Sequence, residues 1–115
     1  MKKILIVEDE RQLLELIVMV IDGLGEILIA EDLAQAEAVI AEHKDITVVL
    51  LDGNIPGGGE APNTQVLIPK LLAMGAVIIA MSADMSDVLV EKGAHHLLGK
   101  PFKNAKLREL IESVK

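Results

Sequence analysis

The sequence predicts a doubly wound α/β domain: a five-stranded parallel sheet with helices on both faces, formed as one domain over residues 1–115. Two observations predict it. Short, continuous, β-branched apolar runs recur along the chain, which suits strands buried on both faces. Between them lie segments whose apolar residues fall at helical spacing, so strand and helix alternate five times. Right-handed crossovers between parallel strands then give the doubly wound arrangement. No repeat, linker or low-complexity segment interrupts the pattern.

The first strand is Ile4–Val7, and a helical pattern follows over residues 10–23 with Leu13, Ile17, Val20, Ile21 and Leu24 along one stripe. The apolar arc of this helix is broad, because Val18 and Met19 flank the polar Glu15 and Asp22. Either an aliphatic-rich chain is loosely patterned there, or the helix carries a docking face for a partner. The second strand is Ile27–Ala30, and residues 33–42 carry Leu33, Ala36, Val39 and Ile40 on a second helix. The third strand is Ile46–Leu51. A third helix over residues 64–74 is expected to be kinked or to start late, since Pro69 removes a donor and disfavours helix at Ile68. Ala76–Met81 reads as the fourth strand, residues 84–92 as a fourth helix, and His95–Leu98 as a weaker fifth strand. The last helix, over 103–115, has the i, i+3, i+4, i+7 stripe Leu107, Leu110, Ile111 and Val114.

Composition narrows the function. A chain of 115 residues forms one sizeable core. Phe102 is its only aromatic residue, so the core is aliphatic and stacking on bases or sugars has little to work with. The net charge of −7 argues against nucleic acid and anionic membranes as partners. There is no cysteine, which excludes disulfides and thiolate metal sites. Met1-Lys2-Lys3 is followed by only four apolar residues before Glu8, and no run is long enough to cross a bilayer. A cytoplasmic location is the expectation.

In open α/β sheets, sites form outside the carboxyl ends of the strands. Glu8, Asp9 and Glu10 follow the first strand, Asp52 the third, Ser82 the fourth, and Lys100-Pro101 the fifth. In the strand order 2-1-3-4-5 the first and third strands are central neighbours, so Glu8, Asp9 and Asp52 crowd at one rim with Ser82 and Lys100 beside them. Carboxylates in such a cluster repel unless something cationic intervenes. Magnesium takes hard oxygen ligands and keeps several waters, so two carboxylates and a backbone carbonyl suffice. With the Lys100 ammonium, this is a setting for a phosphoryl group, whose developing charge needs a metal and cationic clamps.

The opening ILIVEDE, the DGNIP stretch, Ser82-Ala83 after IIAM and the closing GKPF, in this order and each at a strand end, resemble the receiver domain of two-component response regulators. The resemblance covers essentially the whole chain and implies the flavodoxin-like fold of that family. It implies that Asp52 accepts a phosphoryl group from a histidine kinase or histidine phosphotransfer protein and thereby switches protein–protein interactions. Asp9 and Asp52 match the magnesium-binding carboxylates, with Glu8 acting mainly through water. Asn54 matches the position whose backbone carbonyl completes the coordination. Lys100 matches the lysine that contacts the phosphoryl oxygens, Pro101 the cis-proline after it, and Ser82 the hydroxyl that turns toward the phosphoryl group. Such a protein is not an enzyme beyond its own phosphorylation and dephosphorylation. A stand-alone receiver, monomeric or weakly dimeric, is the expectation.

Other readings of these residues are weaker. Gly57-Gly58-Gly59 lacks the lysine and hydroxyl of a phosphate loop and reads as slack in a flexible loop. His95 and His96 are adjacent on a strand and point to opposite faces, so they do not form a metal pair. His43 reads as an ordinary residue at the end of the second helix. Ser82 alone suits a helix N-cap. Glu8-Asp9-Glu10 also favours the start of the first helix through its dipole. A flavin or nucleotide domain of the same shape is disfavoured by carboxylates after the first strand and by the missing aromatics.

The chain also departs from the family it resembles. Leu97 stands where receivers usually carry a switch tyrosine or phenylalanine. The span from Ser82 to Lys100 is short by roughly four residues, about one turn of the fourth helix. Glu60 stands where a glycine is usual, and Ile55 replaces a common methionine. These changes leave the pocket residues in place and alter the usual output surface. They motivate an alternative in which a receiver-like adaptor binds its partner independently of phosphorylation.

Overall fold

The computed structural model describes residues 2–83 and 88–114. Five strands, β1 (Lys2–Val7), β2 (Gly25–Ala30), β3 (Val48–Asp52), β4 (Val77–Ser82) and β5 (His96–Gly99), form one parallel sheet in the order β2-β1-β3-β4-β5. Helices α1 (Arg11–Val20), α2 (Leu33–Glu42), α3 (Ile68–Ala73), α4 (Val88–Glu91) and α5 (Asn104–Ser113) alternate with them. This is the five-stranded α/β architecture expected from the sequence.

Alternation along the strands splits the core into two layers. Leu5, Val7, Val49, Leu51, Ile78 and Ala80 pack with Ala36 and Ile40 of α2 and Ile68 and Leu71 of α3. Ile4, Ile6, Val48, Leu50, Ile79 and Met81 pack with Leu14 and Ile17 on α1, with Ile21 just after it, and with Leu107 and Ile111 on α5. Both faces of β1, β3 and β4 are thus dry, which is why their sequences are continuous rather than alternating. The edge strand β2 is less covered, and Ile29 on it is exposed.

Several local expectations need correction. Strand β3 begins at Val48, two residues later than expected, and β5 runs one residue further along the chain. On α1 the buried residue of the first turns is Leu14, while Leu13, Val20 and Leu24 are only partly buried. The broad arc resolves into two parts: Val18 packs against the core, whereas Met19 is 75% exposed. The third helix starts late, as Pro69 demands, behind a 3-10 turn at Asn63–Leu67. Ile68 nonetheless adopts helical angles (φ −60°, ψ −48°) despite preceding proline. Its side chain is fully buried, and that packing overrides the local preference. The expected fourth helix over 84–92 includes residues 84–87, which lie outside the described residues, as does the expected N-cap role of Ser82.

The largest correction concerns the loop after β3. Gly57, Gly58 and Gly59 are not slack. All three take positive φ (132°, 76° and 98°), conformations that side chains rarely adopt. A Cβ on Gly57 would lie 2.6 Å from the Leu33 Cβ, so the loop is pressed against the start of α2. The Leu33 amide donates to the Pro56 carbonyl at 2.8 Å across this contact. That end of α2 is itself capped: the Asp32 carboxylate accepts from the Gln35 amide, and the Gln35 side chain accepts from Glu31.

Candidate functional site

Register assembles the site. Val7 pairs with Leu51, Asp52 with Met81, and Ser82 with Gly99, so the carboxyl ends of β1, β3, β4 and β5 lie side by side. The residues at these ends are therefore neighbours, although nearly the whole chain separates Glu8 from Lys100. Asp52, Asn54, Ser82 and Lys100 line one cleft of about 390 Å³.

Glu8 is 1% exposed and fully engaged. Its Oε1 accepts from Lys100 Nζ at 2.8 Å, and its Oε2 accepts from the amides of Asp9 and Glu10 at 3.1 Å each. The carboxylate that closes the turn into α1 is thus Glu8. Neither Asp9 nor Glu10 caps the helix by its side chain. Lys100 also lies 3.2 Å from Asp52 Oδ1, and Asp52 Oδ1 accepts from the Gly53 amide at 2.8 Å. The Lys100 amide donates to the Ser82 carbonyl at 2.8 Å, and the Lys100–Pro101 peptide is cis.

Electrostatics follow from this geometry. Burial, then the neighbouring Glu8 charge, push the Asp52 carboxyl up to about 6, against the opposing pull of Lys100. Burial would lower the Lys100 ammonium, but its bond to Glu8 and the charges of Asp52 and Glu8 outweigh that and hold it above the usual lysine range. Glu8, Asp9 and Asp52 each offer a carboxylate oxygen within 4.8 Å of the others. Among the described residues, one ammonium stands against three carboxylates at this rim, and the donor set is hard oxygen. That combination fits magnesium.

Asn54 is exposed at the cleft. The carbonyls of Asp52, Gly53, Ile55 and Pro56 all accept hydrogen bonds, whereas among the described residues that of Asn54 accepts none. Two residues that the sequence reading missed sit beneath this loop. Asn63 is 5% exposed and Thr64 fully buried, and both bond to the loop backbone. A sequence signal existed: Asn-Thr directly after proline suits a turn whose side chains bond to the main chain. His95 and His96 are both exposed, and His95 Nδ1 accepts from the Ile78 amide at 3.0 Å. Leu97 packs partly buried against the α2/α3 side of the core.

Comparisons with known proteins agree with this picture. The model of the response regulator receiver domain matches residues 4–112. A receiver domain of a DNA-binding response regulator from Colwellia psychrerythraea superposes with a TM-score of 0.81 at 23% identity, covering 97% of this chain and 96% of its own. The receiver domain of a sensor histidine kinase from Pseudomonas aeruginosa, solved with magnesium in its active-site cleft, gives 0.80 at 22% identity over 96% and 94%. A CheY-like receiver protein from Methanospirillum hungatei gives 0.82 at 25% identity over 97% and 91%. No curated protein matches the chain.

Proposed function

The chain belongs to the response regulator receiver domain family, and from that premise we propose that Asp52 is its phospho-acceptor in a magnesium-dependent transfer from a histidine kinase or histidine phosphotransfer protein. The observation that carries the reading is the convergence of the Glu8, Asp9 and Asp52 carboxylates, with the Lys100 ammonium against Glu8 and Asp52.

In the transfer, an Asp52 carboxylate oxygen attacks the phosphorus of a phosphohistidine. A P–O bond forms as the P–N bond breaks, and the imidazole leaves with the electron pair and takes up a proton. Asp9, Asp52 and the Asn54 carbonyl would hold the metal, with Glu8 acting mainly through water. Bound magnesium supplies positive charge and orientation for the phosphoryl oxygens. Lys100 then leaves its carboxylate partners for a phosphoryl oxygen. Ser82, at the end of β4, donates its hydroxyl to the phosphoryl group and so starts the conformational switch. The phosphorylated form changes affinity for a protein partner.

Acetyl phosphate with magnesium tests this. Mass spectrometry should show the gain of one phosphoryl group in the wild-type chain and none in Asp52→Ala. No gain in the wild type, or an equal gain in Asp52→Ala, would sink the proposal.

A further inference from the structure

Backbone bonding in the loop after β3 is concentrated on two side chains. The Thr64 hydroxyl lies 2.7 Å from the Asp52 carbonyl and 3.0 Å from that of Gly53, and the Thr64 amide donates to the Gly53 carbonyl at 3.3 Å. The Asn63 Oδ1 accepts from the Ile55 amide at 3.0 Å, and its Nδ2 donates to the carbonyls of Ile55 (2.6 Å) and Gly58 (2.9 Å). The Asn63 amide in turn donates to the Asn54 side chain at 3.3 Å.

One peptide unit makes the arrangement specific. The Asn54 carbonyl and the Ile55 N–H belong to the same trans peptide, so they point in opposite directions. Asn63 holds the N–H end. The C=O end is thereby turned away from Asn63, and it is the one carbonyl from Asp52 to Pro56 without a hydrogen-bond partner among the described residues. Thr64 fixes the peptide before it by holding the Gly53 carbonyl. A buried asparagine can satisfy its acceptor and both its donor positions this way while giving the loop no freedom to rotate.

We propose that Asn63 and Thr64 are positioning residues for the metal and phosphoryl site, holding peptide 54–55 in the orientation that leaves the Asn54 carbonyl available as a ligand. The inference rests on the proposed role of Asn54 in magnesium binding. The two side chains act through the backbone and touch neither metal nor phosphate.

Calorimetric magnesium titration of the phosphate-free chain tests the proposal. Asn63→Ala and Thr64→Val should weaken magnesium binding about tenfold or more, as loss of outer support does at metal sites. Thr64→Ser, which keeps the hydroxyl, should stay within about twofold of the wild type by the same reasoning. Folded Asn63→Ala and Thr64→Val chains with wild-type affinity overturn the inference. A second measurement needs no variant. In an NMR titration of the wild-type chain, the Ile55 amide and the Asn63 side-chain amide should shift with the same midpoint as the Asp9 amide. Shifts at Asp9 with Ile55 and Asn63 silent overturn the inference alone. No response anywhere overturns the magnesium reading with it.

Discussion

Lys100 lies closer to Glu8 (2.8 Å) than to Asp52 (3.2 Å), and Glu8 is the more deeply buried of the two carboxylates. The ammonium is therefore shared between a carboxylate that is fully committed to local hydrogen bonds and one that faces the cleft. This division leaves Asp52 the more accessible of the two carboxylates.

Removing Lys100 should reveal the asymmetry. In Lys100→Ala the Glu8 carboxylate stays buried with two amide donors and no cation. The loss of stability should be about 2–4 kcal/mol, near the lower end for breaking a buried pair because Lys100 is itself partly exposed. Urea denaturation at pH 7 measures it. A change under about 1 kcal/mol would contradict the buried-pair account.

The raised pKa of Asp52 makes a signed prediction about pH. A carboxyl lifted from 3.8 to about 6 on folding favours the protonated form in the native state. Its contribution is fully favourable below pH 3.8 and is lost as pH rises toward and through about 6. Asp52→Asn, which is neutral throughout, should thus be more stable than the wild type at pH 7.5 in chelator by roughly 1–3 kcal/mol. The advantage should fall away near pH 4. Parallel urea titrations at the two pH values check it.

Magnesium should counter the same repulsion. At about a hundredfold excess over its dissociation constant, a ligand specific for the folded state adds roughly 2.7 kcal/mol. For a chain of this size that raises the melting temperature by on the order of 10 °C. Asp9→Ala should lose most of the shift in scanning calorimetry, whereas a surface change such as Lys44→Ala should keep it.

The three loop glycines should not be equivalent. Gly57→Ala combines a positive φ with a Cβ pressed against Leu33, while Gly58→Ala meets nothing within 4 Å and carries only the backbone cost. Gly58→Ala should cost about 1–2 kcal/mol, and Gly57→Ala more, on the order of 3 kcal/mol. Equal losses in chemical denaturation would mean that the loop does not rest on α2.

The apolar runs of the sequence were enough to predict a parallel sheet and to place Glu8, Asp9, Asp52, Ser82 and Lys100 at its strand ends; the order of the strands belongs to the fold class and is seen in the folded chain. The runs suffice because burial on both faces leaves continuous β-branched runs, and in a parallel sheet whatever follows each run lands on the same edge. Tertiary structure alone decided three other matters. Leu14 is buried more deeply than Leu13, because the helix phase is set by docking on β1 and β3. Ile68 stays helical before proline, because the buried side chain outweighs a local preference. The glycine run is held in place rather than slack, because Asn63 donates to the Gly58 carbonyl and Leu33 lies against Gly57. Hydrogen bonds between a side chain and a distant main chain leave no periodicity to read. Only the folded chain shows that Asn63 and Thr64 bond to the backbone of the loop beside Asp52.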